Sequence, residues 1–134
     1  MTPEPWPPPP FRVRHRVRVT VRGETDVALA RQHAAELAVP VGLSTRALQA
    51  LTTAVSEIAQ DIVDHGRGGE ITFAALEDGD RRGVAVTASG PGLGFGVASV
   101  RRLMDEFELI STPEGTTANM AKWADAPAYA APRR

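Results

Sequence analysis

The chain has no cysteine, only one lysine (Lys122) among its fifteen basic residues, and 5% aromatic residues over 134 positions. Without cysteine, a disulfide-stapled fold, a thiolate zinc site and a thiol nucleophile are excluded together, and three histidines are the only imidazole ligands. Few aromatics means that the core must be aliphatic. No apolar run approaches the roughly eighteen residues of a membrane span, and the Pro-rich start lacks a basic region followed by an apolar one, so neither a transmembrane segment nor a signal peptide is expected and the predicted address is cytoplasmic. The net charge of -1 gives no global attraction to nucleic acid or anionic lipid. With 43% apolar and 23% charged residues, the composition is that of an ordinary globular protein, and the length suits one domain with one core.

Residues 1–10 hold six prolines, which cannot pair as a strand or propagate a helix, so this segment is expected to be a disordered tail. Residues 124–134, rich in Ala and Pro, read as a second flexible tail, which leaves 11–123 as the folded unit. From Phe11 the pattern alternates. Val13, His15, Val17, Val19 and Val21 fall on one face of a predicted strand, while Arg12, Arg14, Arg16, Arg18 and Arg22 share the other. Arginines in this position protect an exposed sheet edge or face, so neither nucleic acid nor membrane is expected as a partner. Pairing of this strand in a homodimer is left open.

Helical spacing of Val27, Ala30, Ala34 and Leu37 predicts a helix over about Asp26–Ala38, stopped before Pro40 and Gly42. Ser44 is placed to cap a second, longer helix, with Leu43 and Leu48 as a hydrophobic staple. Leu48, Leu51, Val55, Ile58 and Ile62 then form its apolar stripe, and Gly66 is its left-handed stop. Glu57, Asp61 and Asp64 lie at i, i+4 and i+7 on the same helix, away from that stripe. Two carboxylates about 6 Å apart repel by roughly 2 to 3 kcal/mol at an effective dielectric near 20, and less where water screens them, so the row is a solvated face or a site.

Two strands, Glu70–Leu76 and Gly83–Thr87, are predicted to pair as an antiparallel hairpin. Next comes Ser89-Gly90-Pro91-Gly92-Leu93-Gly94-Phe95-Gly96, with glycine at every second position, before a helical segment Val97–Met104. Such a loop frees backbone amides to face an anion, but it is neither a Walker A loop nor a dinucleotide fingerprint. Two more strands, Glu106–Ser111 and Thr116–Trp123, close the unit.

This order of elements, the acidic pair within Ser56-Glu57-Ile58-Ala59-Gln60-Asp61-Ile62-Val63, the Gly90-Pro91-Gly92 box, the run Arg101-Arg102-Leu103-Met104-Asp105-Glu106-Phe107-Glu108-Leu109, and Gly115-Thr116-Thr117 before Lys122-Trp123 resemble the GHKL ATPase fold. In particular they resemble its bacterial anti-sigma regulatory factors and stress-response switch serine kinases, the RsbT-like and RsbW-like proteins. The resemblance covers nearly all of residues 11–123. It implies an α+β two-layer sandwich with a mixed, mostly antiparallel sheet covered on one face by helices.

The resemblance also implies roles. Glu57 matches the glutamate that assists deprotonation of a substrate serine, and Asp61 stands where the family has a magnesium-ligating asparagine. Gly90, Gly92, Gly94, Gly96, Arg101 and Thr116 match positions around the nucleotide. Three departures accompany these matches. Asp61 adds negative charge beside a triphosphate; Ala88 replaces the aspartate that accepts a hydrogen bond from the adenine amino group; and the two glycine boxes run together, leaving hardly any lid. The expectation is therefore a partner-switching regulator that acts by protein–protein binding, with no cofactor retained. Its partner would be a STAS-domain antagonist or scaffold protein, a sigma factor or a phosphatase. The alternative is an active serine kinase using ATP and Mg2+ to phosphorylate a STAS-domain antagonist.

Overall fold

The computed structural model describes Trp6 and residues 12–91, 93 and 95–124. The elements in chain order are β1 (Arg12–Val21), α1 (Glu24–Val41), α2 (Thr45–His65), β2 (Gly69–Asp78), β3 (Arg81–Gly90), a 3-10 helix (Phe95–Leu103), β4 (Glu106–Thr112) and β5 (Gly115–Trp123). The strands form one sheet in the order β1-β2-β3-β5-β4, and all four pairings are antiparallel, so the sheet is not mixed. Helices cover one face of it, and the fold is an α+β two-layer sandwich.

Asp26 fixes the start of α1. Its carboxylate accepts the backbone N–H of Arg22 at 2.8 Å and of Gly23 at 3.1 Å, satisfying donors that a helix start leaves free. These bonds to the charged form hold the Asp26 carboxyl below its ordinary value. The helix runs farther than the expected Ala38, through Pro40 to Val41. Proline is tolerated in this last turn because the helix ends two residues later at Gly42, whose φ of 85° lets its N–H reach back to the Val39 carbonyl. Ser44 caps α2 as expected, its Oγ accepting the Ala47 N–H at 3.1 Å, and Gly66 ends it with φ 71°.

The inner layer buries Val19 and Val21 of β1, the α1 residues Val27, Ala30, Ala34 and Leu37, the α2 stripe Leu51, Val55, Ile58 and Ile62, and Ile71, Phe73, Val84, Val86, Ala118 and Met120 of the central strands. The outward half of β1 departs from the expected single buried face. A bulge between Val13 and His15 shifts the register, so that Val13 pairs with Leu76 while His15 pairs with the adjacent Ala75. Val13 is 39% exposed, and the residues from Arg12 to Arg16 are exposed on both sides of the bulge. The segment expected as a helix over Val97–Met104 is instead a 3-10 helix beginning at Phe95 and ending at Leu103, packed against α2.

On the open face lies a second, smaller apolar cluster of Ala74, Leu76, Ala85, Ala121 and Trp123, with Trp6 packed against it. The Trp123 ring covers Gly83, stacks under the Arg81 guanidinium at 4.1 Å and donates its Nε1–H to Glu106 at 2.6 Å.

At one end of the sheet three strands approach unusually closely. A Cβ on Gly90, at φ 143°, would lie 2.7 Å from the Gly69 Cα and 2.8 Å from the Gly68 carbonyl oxygen. Gly90→Ala is expected to cost about 3 kcal/mol in urea denaturation, from strain and backbone overlap, while Gly23→Ala, with open space around it, serves as the control. Equal effects of the two substitutions would contradict this account. For Asp26 the expectation concerns pH. Because its folded carboxyl titrates below the ordinary value, its stabilisation is complete above that value and fades as pH falls through the folded one. The stability gap between wild type and Asp26→Asn should thus be widest at neutral pH and shrink on acidification; a gap that stays constant would contradict the assignment.

Candidate functional site

The apolar stripe of α2 fixes where its polar residues point. With Leu51, Val55, Ile58 and Ile62 turned to the sheet, Glu57 and Asp64 are exposed and Asp61 lies at the margin, its side chain 19% exposed. The C-terminal half of α2 sits over the glycine-lined end of the sheet, where a Cβ on Gly69 would fall 3.1 Å from Ile62 Cδ1 and 2.8 Å from the Ser89 carbonyl oxygen. The acidic row is thereby held beside the end of β3.

Its repulsion is relieved by neutral and titratable neighbours. Gln60 Nε2 donates to Asp64 Oδ1 at 2.9 Å and to Glu24 Oε2 at 2.8 Å, bridging two carboxylates and tying α1 to α2. His65 places Nδ1 2.8 Å from the Asp61 carbonyl oxygen and 3.5 Å from its Oδ1. Glu57 makes no hydrogen bond or ion pair among the described residues, so its carboxylate is available to solvent or to a partner. No group of three or more His, Cys, Asp or Glu suited to a metal ion occurs among the described residues.

Gly90 and Thr116 are directly paired across β3 and β5, so these two of the expected site residues come together. The turn after Gly90 is fixed by the Leu93 N–H donating to the Gly90 carbonyl at 3.2 Å. Gly96 lies in the 3-10 helix, whereas Gly92 and Gly94 fall outside the described residues. Arg101 stacks on Phe107 of β4, its guanidinium 4.9 Å from the ring centroid, and forms no ion pair with Glu57 or Asp61. Ala88, in the register between Ile71 and Ala118, is fully buried in the main core. Its methyl carries no hydrogen-bond acceptor and packs within that core.

Gln60 and His65 escaped the sequence reading. The i,i+4 spacing of Gln60 with Asp64 and of Asp61 with His65 was the available signal, but the Glu24 contact spans 36 positions and becomes visible only in the fold. The 3-10 helix and the acidic helix thus flank the glycine-lined end of a one-sided antiparallel sheet, which defines a small α+β domain with a polar site at that end. No family model matches the chain. The chain is 33% identical to the serine/threonine-protein kinase RsbT of Bacillus subtilis (strain 168) over 125 residues, covering 78% of this chain and 94% of that protein. It belongs to the RsbT family. No helix among the described residues is long and apolar enough to cross a membrane.

Because Glu57 has no partner to lose, Glu57→Gln should leave stability within about 0.5 kcal/mol of wild type in thermal denaturation. A larger loss would mean that the carboxylate holds the fold together.

Proposed function

We propose that the chain is a partner-switching signalling regulator that acts mainly by binding another protein, its nucleotide site weakened or lost. The observation that carries this reading is Ala88, fully buried at the position where the GHKL resemblance expects an adenine-binding aspartate. Losing a charge-assisted acceptor there removes roughly 1.5 to 3 kcal/mol, or about ten- to a hundredfold in affinity. Asp61 supports it further: a carboxylate in place of the amide adds charge beside a triphosphate. Glu57, Gly90 and Thr116 match the family's pattern, but with Ala88 where an acceptor is needed and Asp61 where the amide is needed the residues do not fit a tight ATP–magnesium site. The partners that fit the family are a STAS-domain antagonist or scaffold protein, a sigma factor or a phosphatase, met in the cytoplasm.

A second reading is an active ATP-dependent serine kinase. It is favoured by the unengaged Glu57 carboxylate and by the kinase name of the Bacillus relative. Here Glu57 would be the base, Asp61 the magnesium ligand, and Gly92, Gly94, Gly96 and Arg101 the phosphate contacts.

Calorimetry with magnesium-ATP separates the two. Wild type is expected to give no saturable heat at low micromolar concentration, and Ala88→Asp or Ala88→Asn, shown by circular dichroism to be folded, to gain about ten- to a hundredfold in affinity by supplying the acceptor that the resemblance calls for at this position. Saturable low-micromolar binding by wild type, with label transfer from ATP to a STAS-domain protein above a Glu57→Gln control, would establish the kinase instead.

A further inference from the structure

We propose that the outer edge of β1, with the cleft beside it, is a docking site for an acidic extended segment of a partner protein, which adds to the sheet as a further strand. β1 is an edge strand ten residues long, hydrogen-bonded on one side to β2 and to no strand on the other among the described residues. An unpaired row of backbone donors and acceptors is a template for another chain. Main-chain pairing supplies affinity in such additions, and pockets for alternate side chains supply selectivity.

Both selectivity elements are present here. β1 carries Arg12, Arg14, Arg16 and Arg18 and no acidic residue. Arg14 pairs with Glu77 at 3.1 Å and Arg18 lies 3.9 Å from Glu70, while Arg12 and Arg16 have no ion pair or hydrogen bond among the described residues. Alongside runs a cleft of about 530 Å³ between β1 and the last turns of α1, with Val17, Leu37, Val41 and Ala75 supplying its apolar lining and His15 and Glu36 among its polar residues. The arginines select a carboxylate-bearing segment, and the cleft admits an apolar side chain from it.

The same features disfavour two other occupants. Antiparallel pairing of β1 with a second copy would set arginine against arginine, and the bulge between Val13 and His15 breaks the regular register that such a ladder needs. Nucleic acid would use the arginines but leave the apolar cleft unfilled. An arginine edge that served only to prevent aggregation would not require a cleft next to it.

The proposal rests on the protein-binding reading above in supposing a protein partner, and it fails separately: a chain that binds a STAS-domain protein but not the peptide below keeps that reading and loses this one. The test is fluorescence anisotropy of the intact chain with a labelled octapeptide of alternating Glu and Val, a Lys–Val peptide of the same length, and a single-stranded DNA octamer, combined with hydrogen exchange. The Glu–Val peptide is expected to bind saturably and to weaken about tenfold or more in Arg12→Glu/Arg16→Glu, a surface change that leaves the core intact. Exchange of β1 amides should slow when it binds. Absence of saturable binding, binding unchanged in the double variant, equal binding of the Lys–Val peptide, tighter binding of the DNA, or protection confined to α2 and the 3-10 helix would each overturn the proposal.

Discussion

The burial of one stripe of α2 governs the geometry of everything around it. Leu51, Val55, Ile58 and Ile62 are all completely shielded, and each is worth roughly 1.5 to 3 kcal/mol against exposure. That energy is large enough to overrule the mutual repulsion of Glu57, Asp61 and Asp64 on the neighbouring face, which water and the amide of Gln60 reduce further. Rotating α2 to spread its carboxylates would expose the stripe. The acidic row is consequently a by-product of core packing as well as a candidate site, and it is held at the glycine-lined end of the sheet because Ile62 closes on Gly69 there.

The parts of the fold that local chemistry specifies were legible in the amino-acid sequence. The Ser44 cap, the Gly66 stop and the apolar period of α2 reappear in place, because capping and periodicity act within a few residues. The two hairpins reappear with strands a residue or more longer. Interactions decided by distant partners were not legible. The bulge in β1 answers to its pairing with β2, and alternation alone cannot reveal an extra residue in one strand. The spacing predicts that α1 stops before Pro40, yet the helix continues through it to Val41, a single further residue before the Gly42 cap, so little helix beyond the proline has to be kept regular. At the site, the pairing of Gly90 with Thr116 needed the strand order, and the Glu24–Gln60 bond needed the packing of α1 on α2.

Two ends of one sheet emerge with different characters. Toward Gly90 lie the exposed carboxylate of Glu57 and the pairing of Gly90 with Thr116, with Ala88 buried in the strand that leads to them. Toward the outer side of β1 lie basic side chains and an apolar cleft, features suited to another polypeptide. The scaffold between these two ends is continuous: one main core, capped helices and a fully paired interior of the sheet.

Nucleotide independence of partner binding is the property that separates the proposed regulator from an active kinase. The most direct measurement is the affinity of the intact chain for a STAS-domain protein, the partner class proposed above, determined by biolayer interferometry after exhaustive removal of nucleotide and again with saturating magnesium-ATP. The proposed function predicts equal affinities, with no phosphate found on the partner by mass spectrometry. Binding that requires ATP, or that is followed by phosphorylation of the partner, would contradict it.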